Sequence, residues 1–148
     1  MEEKNQDVVA YCGLCCLDCH GYIGKIPDLA RDLKKELKKA HYEKFAGAIS
    51  KLPFGKPFEH YNACMDLLGT MAKFRCTKTC RGGGGPPFCE IRKCCRSKKI
   101  TGCWECSEPD TCDKLKFLEG VHIDAHKKNI RAIRKKGTGG FLSGKRYW

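Results

Sequence analysis

No stretch of this chain is apolar for long enough to cross a bilayer, and its start, MEEKNQDVVAY, is acidic and polar where a secretion signal carries a basic end and an apolar run. The expectation is a cytoplasmic protein with no membrane partner. Also missing is H-E-x-x-H, which would present two histidines and a general base to a hydrolytic zinc. The glycine run Arg81-Gly82-Gly83-Gly84-Gly85 leads into Pro86 and Pro87, whereas a phosphate-binding loop needs G-K-[ST] opening a helix. No internal repeat appears beyond the recurrence of cysteine. At 148 residues the chain is too short for two enzyme-sized domains. The reading is one compact domain, 1–148.

What the chain has is cysteine, thirteen in all. Cys12, Cys15, Cys16 and Cys19 form a knot within 8–24; Cys76, Cys80, Cys89, Cys94, Cys95, Cys103, Cys106 and Cys112 form a second group, with only Cys64 between. In a reducing compartment such density points to metal ligands rather than disulfides, and an odd total leaves one thiol unpaired in any case. Cys103-Trp104-Glu105-Cys106 is a C-x2-C knuckle, which lets two thiolates on a tight turn reach one ion. Cys76, Cys80, Cys89 and Cys94 make one natural set of four; the others must combine across the chain or recruit histidine.

Structural zinc fits best, because it accepts all-thiolate tetrahedral sites and contributes the folding energy that a loop-rich segment lacks. The alternative is an iron–sulfur centre with a redox or enzymatic role, for which four thiolates serve equally well. Cys12-x3-Cys16-x2-Cys19 is also the spacing of radical S-adenosylmethionine enzymes, but these continue into a β/α partial barrel for which this chain has no material. A thiol-redox motif would need a βαβ frame around Cys15-Cys16-x2-Cys19, and no strand pattern surrounds it. No catalytic residue is assigned, and the reading leans away from an enzyme. His20 beside the first knot could replace a cysteine; His122 and His126, one helical turn apart, could complete a site with Cys103, Cys106 and Cys112, or flank the core face of their helix.

The rest reads as helix. Leu29, Leu33, Leu37, Ala40, Phe45, Ala48, Ile49 and Leu52 recur near helical spacing after Pro27, until Pro53 and Gly55 stop the run. A second helix over about 58–73 carries Tyr61, Met65, Leu68 and Ala72 on one face, with Cys64 beside them as a small buried residue. These form a helical pair over 28–73. Residues 74–113 show glycine, proline and cysteine without periodicity, a loop segment in need of staples. Leu115, Leu118, His122, Ile123, His126, Ile130 and Ile133 outline a basic third helix over 114–136 that Gly137 ends; the tail 137–148 is either flexible or folds back through Phe141, Leu142, Tyr147 and Trp148. The expected class is mostly α, three main helices with a loop-rich, metal-stapled cysteine segment.

A formal charge of +12 points to nucleic acid or an acidic protein partner. Eight thiolates on two divalent ions would lower it to about +8. Arg75, Lys78, Arg81, Arg92 and Lys93 beside the cysteines could instead lower thiol pKa and offset thiolate charge. Nucleic-acid binding through the third helix, with Arg131 and Arg134, is therefore a second alternative function. The glycines of 82–85 read as a means of turning the backbone tightly around sulfurs at Cys80 and Cys89.

Tyr11-Cys12-Gly13-Leu14-x-Cys16-x2-Cys19, Cys89-x-Ile91-Arg92-x-Cys94, Ile100-x2-Cys103-x2-Cys106 and then Cys112 follow one another in an order that resembles the domain-of-unknown-function 3795 family, cysteine-rich small proteins of bacteria and archaea. The resemblance covers nearly the whole chain. It implies a metal-binding protein without an established activity, and it selects as ligands Cys12, Cys16, Cys19, Cys76, Cys80, Cys89, Cys94, Cys103, Cys106 and Cys112. Cys15, Cys64 and Cys95 fall outside its pattern. Asp110 and Thr111 separate Pro109 from Cys112, where the family pattern has the two adjacent. The resulting expectation is a zinc-binding module, with two ions stapling a small helical protein of unknown biological role.

Overall fold

The computed structural model describes residues 7–148; residues 1–6, which carry most of the polar start on which the absence of a signal was read, lie outside the described residues. Among the described residues there are seven α-helices, four 3-10 segments and no strand beyond one isolated bridge between Val9 and Cys15. The mostly α class holds, with seven helices where three were expected. No helix among the described residues is long and apolar enough to cross a membrane. Where the sequence reading drew one compact domain, the contacts divide the chain into two units, residues 24–75 and residues 7–23 with 76–148.

The first unit is the expected helical pair, built from more pieces. Helices α2 (Lys25–Lys39) and α4 (Tyr61–Lys73) pack along each other, and α3 (Tyr42–Ile49) and a 3-10 segment (Pro53–His60) connect them. The predicted long first helix breaks because His41 takes a left-handed conformation, φ 51°, and reverses the chain between α2 and α3. Pro27 sits in the first turn of α2, where its missing N–H removes no helical bond. Small residues make the close contacts: Ala30, Ala46 and Gly55 are buried, and a side chain at Gly55 would collide with the Ile49 carbonyl. Tyr42, Phe45, Phe58 and Tyr61 form an aromatic cluster with ring centroids 5.0–6.3 Å apart. Cys64, read as buried, is exposed; it lies one turn before Leu68, the residue that α4 buries.

The second unit holds the other twelve cysteines. Its chain runs through a 3-10 turn (Cys16–Asp18) and α1 (His20–Ile23), and it resumes at Cys76, whose N–H donates to the Gly21 carbonyl at 2.9 Å. Residues 74–113, expected to be loop, contain helix α5 (Glu90–Ser97). Only Ile91 and Cys95 of α5 are buried, one turn apart, too short a stripe to register as periodicity. The third helix also starts in pieces, a 3-10 segment (Asp113–Leu118) and α6 (Glu119–His122). Ile123 at φ 52° ends α6, and α7 (Ala125–Leu142) follows with a kink at Gly137.

Helical turns resume after Gly137, so the expected stop is a bend, and the tail folds back. Phe141 is almost fully buried, the Asn129 amide exchanges two hydrogen bonds with the Tyr147 backbone at 2.8 and 3.0 Å, and Arg146 grips Asp18 with both ends of its fork at 2.7 and 3.0 Å.

The core of this unit is part sulfur. Cys95 and Cys103 are buried with Leu14, Ile91, Leu115, Leu118, Ala125 and Ile130, and Cys15 and Cys16 with Val8, Val9, Ile133 and Phe141. The turn that carries Cys12 into it depends on Gly13, at φ 84° and packed against α7: a Cβ there would lie 2.9 Å from Ile130 Cγ1 and 3.2 Å from the His126 carbonyl oxygen. Gly13→Ala is expected to destabilise the protein by about 1–3 kcal/mol through strain and overpacking. Gly120→Ala, where nothing lies within 4 Å, should stay within about 0.5 kcal/mol of wild type. Thermal denaturation of both variants checks the contrast.

Candidate metal centre

Three short segments deliver thiols to one place. The turn ending at Leu14 presents Cys12, the 3-10 turn presents Cys16 and, at its end, Cys19, and the returning chain presents Cys76 and Cys80. Cys89 caps the start of α5. These six cysteines and Cys15 line a single cavity of about 250 Å³. Its remaining wall includes Tyr22, Phe117, His122 and Trp148.

Of the expected natural set, Cys76, Cys80 and Cys89 meet here, joined by Cys12, Cys16 and Cys19 of the first knot, whereas Cys94 on α5 lies outside this lining. Cys15, outside the family pattern, is part of it. Cys95, also outside the pattern, lies with its sulfur 3.8 Å from that of Cys103, about the edge of a tetrahedron with bonds of ~2.3 Å. Cys112 packs against the same core, and Cys106 has the Lys98 ammonium 3.9 Å from its sulfur. Among the described residues no three histidine, cysteine, aspartate or glutamate side chains are drawn into a closed coordination group. Thiols are the donor chemistry that a thiophilic metal takes.

The thiols differ in acidity. Burial pushes Cys12 up to about 12, and the nearby Cys89 and Cys16 thiols add to that rise. Cys16 and Cys80 share a hydrogen bond that pulls Cys16 well below the usual thiol range and holds the proton on Cys80; the Cys80 N–H, 3.4 Å from the Cys16 sulfur, and the Arg81 guanidinium help Cys16 further. Cys95 and Cys103 repeat the arrangement, with Cys95 lowered and Cys103 raised. The cavity thus contains one thiol poised to ionise, Cys16, beside Cys12 and Cys15, which burial keeps protonated, and Cys80, which holds the shared proton.

The backbone around the sulfurs is held by arginine. Arg92 donates to the carbonyls of Cys80 and Gly84 at 2.9 and 2.8 Å and of Pro86 at 3.0 Å. Gly85, at φ 68°, brings its Cα side against Cys80, where a Cβ would lie 3.1 Å from the sulfur, so the glycine run does serve close passage of the chain around a thiol. Arg81 donates to the Val9 carbonyl at 2.6 Å and to that of Thr101, with its guanidinium over the Tyr11 ring at 4.4 Å. On α7, Arg134 bonds the carbonyls of Trp104 and Cys106, and Arg131 pairs with Asp110 at 3.0 Å. Arg75 and Lys93, expected near thiolates, pair with Asp28 and Glu90 instead. Of that basic set, Arg81 lowers a cavity thiol, Cys16.

The histidines separate. His20 opens α1 near Trp148, His122 lines the cavity, and His126 is fully buried in the core with both ring nitrogens unpartnered. Sequence reasoning missed Tyr22, Phe117 and Trp148 as cavity walls and Arg92 and Arg134 as clamps. The only signal for Arg92 was its place between Cys89 and Cys94, and Arg134, 22 residues beyond Cys112, carried none.

Such a molecule belongs to the cysteine-rich proteins in which thiols from loops and short helices replace part of an apolar core. The chain is a member of the family described as protein of unknown function (DUF3795), whose model matches residues 8–117. No curated protein and no solved structure matches it.

Arg92→Ala leaves three carbonyls without their donor and is expected to destabilise the cysteine-bearing unit by about 1–3 kcal/mol. Arg92→Lys should recover little of this, because an ammonium does not reproduce the fork. Chemical denaturation of the three proteins gives the comparison.

Proposed function

We propose that the protein is a thiolate metal-binding module in which zinc staples the cysteine-bearing unit, acting as a binding protein rather than a catalyst. The observation that carries this reading is the convergence of Cys12, Cys16, Cys19, Cys76, Cys80 and Cys89 on one cavity from segments far apart in sequence. Seven thiols enclosed together have no packing advantage over aliphatic side chains, and burial opposes the ionisation of Cys12 and Cys15; a bound cation removes the opposition. Cys95 and Cys103, with Cys106 and Cys112 in the following turns, offer a second group. A ligand set of reduced thiols requires a reducing compartment, which supports a cytoplasmic protein.

An iron–sulfur centre is the second reading, favoured by the volume of the cavity. An apolar void of ~150 Å³ already holds a molecule of benzene, and about 250 Å³ exceeds what one ion requires. Metal analysis of protein purified without oxygen separates the two: zinc with colourless protein supports the first, iron with brown protein the second. Chelation is expected to remove helical circular dichroism in proportion to the cysteine-bearing unit. A metal-free chain with an unchanged spectrum would falsify both.

The thiol acidities predict the pH dependence. A thiol protonated in the metal-free protein must lose its proton on binding, so affinity rises with pH by about one decade per unit for each such ligand. Cys12, raised to about 12, contributes fully to that slope, and Cys16, already lowered, contributes little above neutrality. Competition against a chromophoric chelator between pH 7 and 8 should show Cys12→Ser reducing both affinity and slope, and Cys16→Ser reducing affinity with the slope nearly retained.

A further inference from the structure

We propose that His122 supplies a nitrogen ligand to metal held in the thiol-lined cavity. This rests on the metal-binding reading above and adds a donor that the cysteine pattern does not contain. Seven cysteines line the cavity, and a four-coordinate zinc accepts a mixed set of thiolates and imidazole as well as four thiolates. His122 is the imidazole on the same wall, and its Nδ1 is buried with no hydrogen-bond partner. A cation held in the cavity would satisfy that nitrogen.

The backbone is built to put it there. Ile123, a β-branched residue at φ 52°, ψ −101°, stops α6 one residue after His122 and turns the chain into α7. A helix running on through 123 would have carried His122 and His126 on one face. Instead the two part, His126 into the core and His122 to the cavity. Trp148 packs edge-on against the His122 ring at 4.6 Å and restricts its orientation. A neutral imidazole also lowers the accumulated charge, since two four-thiolate sites would enclose more negative charge than the metal ions neutralise. His20, which approaches the same tryptophan at 6.2 Å, is not part of the lining.

Cobalt(II) replacing the native metal in the full chain tests the assignment, because its ligand-field bands report nitrogen against sulfur and its charge-transfer bands report thiolate. His122→Ala is expected to shift the ligand-field bands and weaken cobalt binding at least about tenfold. His122→Cys should retain binding with the bands displaced toward those of an all-sulfur site, and His20→Ala should match wild type. Absence of thiolate charge transfer in the wild-type protein overturns the metal-binding reading itself. Normal charge transfer in wild type, with ligand-field bands of His122→Ala and His122→Cys superimposable on it, overturns the role of His122 alone. If His122→Ala does not fold, the position of the bands in His122→Cys decides by the same criterion.

Discussion

Everything in the cysteine-bearing unit follows from putting thiols where a protein of this size would normally put leucine. Cys15, Cys16, Cys95 and Cys103 are core residues, and a buried thiol packs as a small apolar group only while it keeps its proton. The elevation of Cys12 and the unequal sharing in the Cys16–Cys80 and Cys95–Cys103 pairs express that constraint. One proton can be lost from each pair, and a second would bury an uncompensated charge. A divalent ion reverses the balance, because it turns several thiolates from mutual repulsion into ligands.

The same economy of apolar residues explains the arginines. Loops that wind around sulfur leave carbonyls that neither helix nor sheet satisfies. Arg81, Arg92 and Arg134 supply donors to carbonyls at Val9, Cys80, Gly84, Pro86, Trp104 and Cys106, and so perform the work of secondary structure in a segment that has little. The formal charge of +12 therefore overstates the cationic surface free to meet an acidic partner. Arg131 and Arg134, the residues singled out for nucleic acid, are engaged within the protein by Asp110 and by the turn around Cys106.

What could be seen in the sequence divides along the same line. Helix α4 and the start of α2 were legible because their apolar spacing and their proline and glycine boundaries are local signals. The break at His41 was not, since a single left-handed residue leaves no compositional mark, and α5 was hidden because two of its eight residues carry all its burial. Cysteine spacing read 74–113 as loop and grouped Cys94 with Cys76, Cys80 and Cys89. The cavity brings Cys76, Cys80 and Cys89 beside Cys12, Cys15, Cys16 and Cys19 through contacts between distant segments, which spacing does not record. Cys15 and Cys95 were set aside because pattern matching weighs position along the chain and not the direction in which a side chain points.

The limits of the family match divide the cavity. The match ends at residue 117, and every thiol lining the cavity lies inside it. Leu118, His122 and Trp148 of the lining lie beyond it, together with Ile130, Ile133 and Phe141 that anchor α7 and the tail to the core. Arg146 on Asp18 and Asn129 on the Tyr147 backbone hold that closing wall against the sulfur side. The thiols of the cavity thus come from the matched residues, and the segment after them supplies Leu118, Trp148 and the one imidazole of the lining.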